Sequence, residues 1–422
     1  MGIHEFRRLR IEDEGMQKFE KRAIAYTSTC HGMVHIFELT YGTVLIGISQ
    51  EFGASLLVLG VLANIFGFAF GATSLPSGYL ADRMNERHLL IVCCLGMAAS
   101  AVVIGLAPNI YVLGVALMFL GLAMGIYHPV GAAFITRVVA QRGLGFGYIG
   151  VGGSIGIASG PILAGIIASI WGWRASYFIF AIPAILLAAV IFFSDRTEKP
   201  IIRHPVTEAD TKKLSLRPVI IPLALIFSIQ ILNGFIYRGV ITFLPLYFSQ
   251  RLHFDFLPLE SVLIGGSFTT IALAFGIGGQ FLGGYLSERK HRESLVVVLA
   301  IVAIPLLLAM ANSEGLMLMG ATIVFAFFYF MGQPIYNCLI ADYCPAGWRG
   351  RIFGISFFCV FGFGSFSAGI LGYVADQLGT NCVFMVCAGF GLLVLICTIF
   401  LLVRALRVSK HNTVDTERID YL

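Results

Sequence analysis

Ionisable side chains are scarce within the apolar stretches of this 422-residue chain, so the few that occur there mark where chemistry could take place. His31, His35 and Glu38 recur at intervals of four and three, a spacing that puts them on one narrow stripe of a helix, with Gly42 next along it. A buried carboxylate can take up and release a proton, because desolvation favours its neutral form and a nearby cation its charged form. Tyr127 and His128 in a fourth apolar stretch, Gln230, Asn233, Tyr237 and Arg238 in a seventh, and Gln333, Tyr336 and Asn337 in a tenth could line a wet cavity for a solute and a proton. Histidines four residues apart also chelate zinc, but no H-E-x-x-H occurs and a helix-buried metal would need a further ligand such as His128. No metal and no other cofactor is assigned. Each histidine has the simpler alternative of bonding to a neighbouring helix.

Composition dictates what must position these groups. With 58% hydrophobic and 12% charged residues, the chain has more apolar surface than a water-soluble core hides. A helix crosses the hydrocarbon layer with about 20 apolar residues. Twelve such stretches begin near Tyr26, Leu57, Leu89, Ile110, Gly145, Ser176, Val219, Leu259, Ser294, Gly315, Ile352 and Cys382. The expectation is an all-α membrane protein of twelve spans, with both termini on one side because the number is even. Of 28 Lys and Arg, 25 fall in the termini and the even-to-odd loops, while Arg174 and Arg251 lie on the other side and Arg238 inside a span. Basic residues are retained on the cytoplasmic face, so the termini are expected to be cytoplasmic, in the inner or plasma membrane. That distribution accounts for the net charge of +5 without a nucleic-acid partner. Eleven charges before residue 26 argue against a cleaved signal peptide. The nine cysteines lack C-x-x-C spacing and outer-loop pairs, and are expected to pack rather than to form disulfides or bind zinc.

The expected organisation is a terminal segment at 1–25, a six-helix bundle at 26–194, a linker at 195–217, a second bundle at 218–404 and a tail at 405–422. The linker mixes six basic and four acidic residues with Pro200 and Pro205. The bundles look duplicated. Gly78-Tyr-Leu-Ala-Asp82-Arg83 returns 206 residues later as Gly284-Tyr-Leu-Ser-Glu288-Arg289. His128-Pro129 aligns with Gln333-Pro334 at 205, and Arg142-Gly143 and Phe146-Gly147 align with Arg349-Gly350 and Phe353-Gly354 at 207. Six spans per half make the copies parallel repeats.

The run Gly78-Tyr-Leu-Ala-Asp82-Arg83-Met-Asn-Glu-Arg87 resembles the signature between helices two and three of the major facilitator superfamily, although Asn85 and Glu86 stand where Gly and Arg are usual. The resemblance implies two six-helix parallel repeats around a central cavity, a substrate site between the halves, and Asp82 holding the start of helix eleven as a gate latch. The spans named above are the cavity-lining ones in that family. Gly152, Gly156, Gly160, Pro161 and Gly165 in the fifth span resemble a motif common in drug-proton antiporters, and equally suit close helix packing. The arginine expected in the fourth span of many antiporters is absent, with Leu117 or Met118 near its place. Ile126-Tyr127-His128-Pro129, His31 and Val151-Gly152-Gly153 are similar to the fosmidomycin-resistance-like branch.

Aligned through their first spans, the halves put Glu38 and Arg238 at nearly equivalent places with opposite charge. An anionic solute on Arg238 would let Glu38 gain a proton, a cationic one would displace a proton from it, and a static salt bridge would do neither. Tyr237 and Arg238 point about 100° apart on a helix, which leaves open which faces the cavity. The function expected is secondary active transport of a small organic solute by alternating access, proton-coupled, by a monomer in the lipid bilayer. No G-x-x-x-x-G-K-[ST] loop is present to drive it with ATP. The rival readings are a membrane-embedded enzyme using the His31, His35 and Glu38 cluster, and a transporter-like receptor.

Overall fold

The computed structural model describes residues 16–54, 56–194, 219–252 and 261–419, and among these it is helical without strands. In chain order the helices are α1 Lys18–Thr43, α2 Leu45–Phe52, α3 Leu56–Ala81, α4 Glu86–Leu106, α5 Ile110–Met124, α6 Tyr127–Val138, α7 Arg142–Trp171 and α8 Trp173–Phe193. After residues 195–218, which contain the expected linker and lie outside the described residues, come α9 Ile220–Arg251, α10 Ser261–Ala274, α11 Gly276–Arg289, α12 Arg292–Asn312 and α13 Gly315–Tyr343. The chain ends in α14 Arg349–Phe357, a π-helical turn and a tight turn over 358–366, α15 Ser367–Leu378 and α16 Thr380–Ile419.

Polar residues punctuate these helices where expected of caps. The side chain of Asn85 accepts from the Arg87 amide at 3.0 Å to start α4, and that of Asn109 accepts from the Tyr111 and Val112 amides to start α5. The sharp junctions α7/α8 and α15/α16 are made by Gly172 and Gly379, both with positive φ and 207 residues apart. The duplication thus extends to the turns.

Among the described residues ten helices, counting α5 with α6 and α14 through α15 as single units, are long and apolar enough to cross a membrane. The two remaining expected spans differ for a physical reason. The polar stripe of His31, His35 and Glu38 lowers the hydropathy of α1, and α10 and α11 are separate 14-residue helices broken at Phe275. Helix α1 also starts about two turns before the expected Tyr26, since Glu20 accepts from the Gln17 and Ala140 amides, each at 2.8 Å, and anchors that end. Large apolar side chains such as Phe68, Val92, Phe119, Leu186, Val298 and Leu393 are exposed on the outer faces, a surface suited to lipid rather than water.

Helix α7 lies along α1, α4 along α8, α11 along α13 and α9 along α16. The most extensive contacts between the chain halves are α11 with α7 and α3 with α14. Both are glycine-lined. A Cβ at Gly78 would strike the backbone of Gly350 and Gly354, and one at Gly284 would strike that of Gly143 and Gly147. The six glycines of the three aligned pairs, 78 with 284, 143 with 350 and 147 with 354, are therefore one another's partners across the halves.

Candidate functional site

Close packing of α1 on α7 builds one wall of the site. Gly152, Gly156 and Gly160 face Ser28, Gly32 and Ile36, so the two backbones touch, and Gly153 makes room for the His31 ring. Gly165 lies farther along, where a Cβ would stand 3.8 Å from Thr43, and Pro161 is accommodated within the helix.

The stripe on α1 forms a continuous hydrogen-bonded chain. His31 Nδ1 donates to the Ile149 carbonyl at 2.6 Å, since a carbonyl only accepts. His31 Nε2 and His35 Nε2 lie 3.0 Å apart, and His35 Nδ1 is 2.7 Å from Glu38 Oε2. The other oxygen of Glu38 is 3.4 Å from an Arg238 terminal nitrogen, which ties α1 to α9 across the halves. Glu38 is buried, with 4% of its side chain exposed, and Arg238 retains 21%. Tyr127 stacks on His31 at 5.0 Å, and His128 sits edge-on to it at 5.1 Å. Tyr127 OH, His128 Nε2 and Arg238 Nε are buried and find no partner among the described residues.

Ligand nitrogens of His31, His35 and His128 fall within 4.8 Å of one another, the spacing a metal would use. His31 and His35, however, engage all four of their ring nitrogens in the chain just described, while His128 Nε2 has no partner among the described residues. The arrangement links three titratable side chains into one hydrogen-bonded chain.

Beside this chain a cavity of about 100 Å³ opens between the halves. His31, His35, Gln230, Asn233, Tyr237, Gln333, Tyr336 and Asn337 line it, whereas Glu38 and Arg238 stand behind its wall. Tyr237 thus takes the cavity and Arg238 the ion pair. Tyr127 and His128 border a smaller pocket with His31, Gln333 and Asn337. Sequence reasoning missed Gln280 on α11, which is buried and donates to Gln333, and the Phe357–Phe361 pair that covers His128 from the other half. Gln280 had a signal: an amide alone in an apolar stretch.

At one end of the bundle the Asp82 carboxylate accepts from the Gly350 amide at 2.7 Å and the Arg351 amide at 3.1 Å, in the first turn of α14. Burial pushes the Asp82 carboxyl above its usual range, while these amides and then Arg137 and Arg351 draw it back. Arg137, also missed, lies 3.3 Å from Asp82 and 2.6 Å from Glu86, so it offsets the acid that stands where the signature has Arg. The second copy repeats the device. Glu288 accepts from the Gly143 amide in the first turn of α7. Arg83 and Arg289 lie over Tyr79 and Tyr285, and Arg87 donates to the Ile191 and Ser194 carbonyls, binding α4 to the end of α8. Polar ties at the opposite end, Glu51 with Trp173 and Arg174, and Arg251 with Glu314, stay within a half. The carboxylate–amide ties between the halves gather at the Asp82 end.

Residues 27–369 match the family model described as Major Facilitator Superfamily. The Escherichia coli fosmidomycin resistance protein is 21% identical over 84% of this chain and 86% of its own length. A protein described as a probable sulfoacetate transporter in Cupriavidus necator is 25% identical over 58% of this chain. The chain spans 60% of that relative and 42% of the Proteus mirabilis multidrug resistance protein MdtG, which is 30% identical over the matched part. Among solved structures, the proton:xylose symporter XylE aligns with a TM-score of 0.75 at 13% identity, covering 90% of this chain and 94% of that one. The human organic anion transporter MFSD10 aligns at 0.71 with 17% identity, covering 90% and 100%.

Proposed function

The chain belongs to the Major Facilitator Superfamily and is an integral membrane protein, and from that premise we propose that it is a proton-coupled secondary transporter of a small organic solute, working by alternating access. The observation that carries this reading is the pair of carboxylate latches, Asp82 on α14 and Glu288 on α7, which close one end of an interhalf cavity through contacts that belong to one conformation. Separating them exposes the cavity from that end. In this reading α1 and the α10–α11 pair complete twelve spans, residues 26–194 and 218–404 form the two bundles of a monomer, and the latched end and both termini are cytoplasmic. Homologues that carry sugars, drugs and sulfoacetate support membrane transport over enzymatic chemistry.

The chain from His31 to Glu38 supports the proton as coupling ion. Glu38 faces Arg238 across the halves, so reorientation that parts them removes the cation favouring its charged form and promotes proton uptake. Reconstitution into proteoliposomes tests the function. Solute accumulation driven by an imposed pH gradient is expected; ligand binding without flux would make the protein a receptor instead.

A further inference from the structure

We infer that the solute is a small monoanion carried with one proton in a one-to-one symport; this rests on the transport reading above. The argument is a count of hydrogens and charges. Three contacts in a row each need a hydrogen between their atoms: His31 Nδ1 with the Ile149 carbonyl, His31 Nε2 with His35 Nε2, and His35 Nδ1 with Glu38 Oε2. Two neutral imidazoles bring only two. The third is an added proton, shared along His31, His35 and Glu38, and with it these three side chains are neutral as a set. Arg238, which stays protonated, then leaves one positive charge out of water.

Among the described residues nothing else nearby cancels it. Tyr127 and His128 on α6 and Tyr237 on α9 face the cluster, and His128 lies among Phe70, Phe357 and Phe361 without an acid partner. The cavity alongside has no Asp, Glu, Lys or Arg in its lining. Two states of the site are neutral: the empty one with the proton gone, where Glu38 balances Arg238, and the one holding both the proton and a monoanion. A proton alone or an anion alone leaves an unpaired ion in the protein interior, the costliest arrangement. The site therefore reorients empty or doubly loaded. Exchange of a cation for the proton fails this rule, because both of its states retain an uncompensated charge. Arg238 stands behind the cavity wall and supplies the positive charge, its Nε buried and without a partner among the described residues, while the side-chain amides of Gln230, Asn233, Gln333 and Asn337, which line the cavity, can donate to the anion's oxygens. The proton enters from the water on one side with the anion and leaves with it on the other, so no charge is moved overall.

The test uses purified full-length protein and matched small probes, each skeleton presented as a carboxylate or sulfonate, as its neutral amide and as an amine. Thermal shift reads binding, and a pH indicator in weakly buffered solution reads protons. Stabilisation by the anions alone is expected, with one proton taken up per anion and an apparent Kd that rises up to tenfold per pH unit once the site deprotonates. In proteoliposomes, accumulation should follow a pH gradient and ignore an imposed membrane potential. Stabilisation by amides or amines instead of anions, silence of the whole panel, or anion binding with no proton uptake overturns the inference. Anion binding with proton uptake but no flux sinks the transport reading, and the symport with it, and leaves only the coupled binding of one anion and one proton standing, whereas flux of a neutral solute upholds transport and overturns the inference.

Discussion

Replacing Asp82 by Asn tests the latch with almost no change of shape. The carboxylate meets two backbone amides, at 2.7 and 3.1 Å, and two guanidinium groups, at 3.3 and 3.4 Å. An amide oxygen can keep one of the amide bonds, but the favourable meeting of a charge with a helix start, about 1 kcal/mol and up to ~2 when partly buried, is lost. One charge-assisted bond weakens as well, by roughly 1 kcal/mol. The latched state should lose about 2–3 kcal/mol relative to the open one, a shift of roughly 30- to 150-fold in their ratio at 1.4 kcal/mol per tenfold. Spin labels placed as unnatural residues at Met84 and His291, one in each half beside the latched end, read that ratio as a distance distribution. Asp82→Asn should move the main population to longer distance and slow transport, with thermal stability and ligand binding largely kept. An unchanged distribution at normal expression would mean that the carboxylate does not hold this end shut.

Glu288→Gln should weaken the second latch in the same direction, but less, because Glu288 meets one amide where Asp82 meets two; the same label pair would expose a silent variant. Gly156→Ala should lower the melting temperature markedly because its Cβ would strike the Gly32 backbone, while Gly165→Ala, with 3.8 Å to Thr43, should leave it nearly unchanged; equal melting temperatures would contradict the α1–α7 packing. An impermeant thiol reagent added outside intact cells should label a cysteine at position 255 and spare one at 205, both outside the described residues; the reverse pattern would invert the topology.

The latches were legible because their parts are local and duplicated. Glycine is demanded where two backbones touch, an acid where a helix begins, and each such residue recurs near an offset of 206. The order of His31, His35 and Glu38 followed from helical spacing alone. What spacing could not provide is the meeting of elements distant in sequence. Arg137 reaches Asp82 over 55 residues, and Gln280 reaches Gln333 over 53, through packing that no local pattern encodes. The polar stripe itself keeps α1 out of the ten apolar helices, since the groups proposed to carry its chemistry are those that depress its hydropathy. The π-helical turn after α14 follows nine helical residues with no proline to mark it.

Glu38→Gln in proteoliposomes tests the central claim most directly, using an anionic ligand identified by thermal shift. Glutamine resembles the protonated side chain in size and hydrogen bonding but cannot release a proton. Wild-type protein should accumulate the ligand when the pH gradient drives it. The variant should lose that accumulation and its pH dependence while still exchanging labelled for unlabelled ligand, because the loaded carrier can reorient without deprotonation. A Glu38→Gln protein that still concentrates the ligand against its gradient, with wild-type pH dependence, would make Glu38 a structural residue and contradict the mechanism.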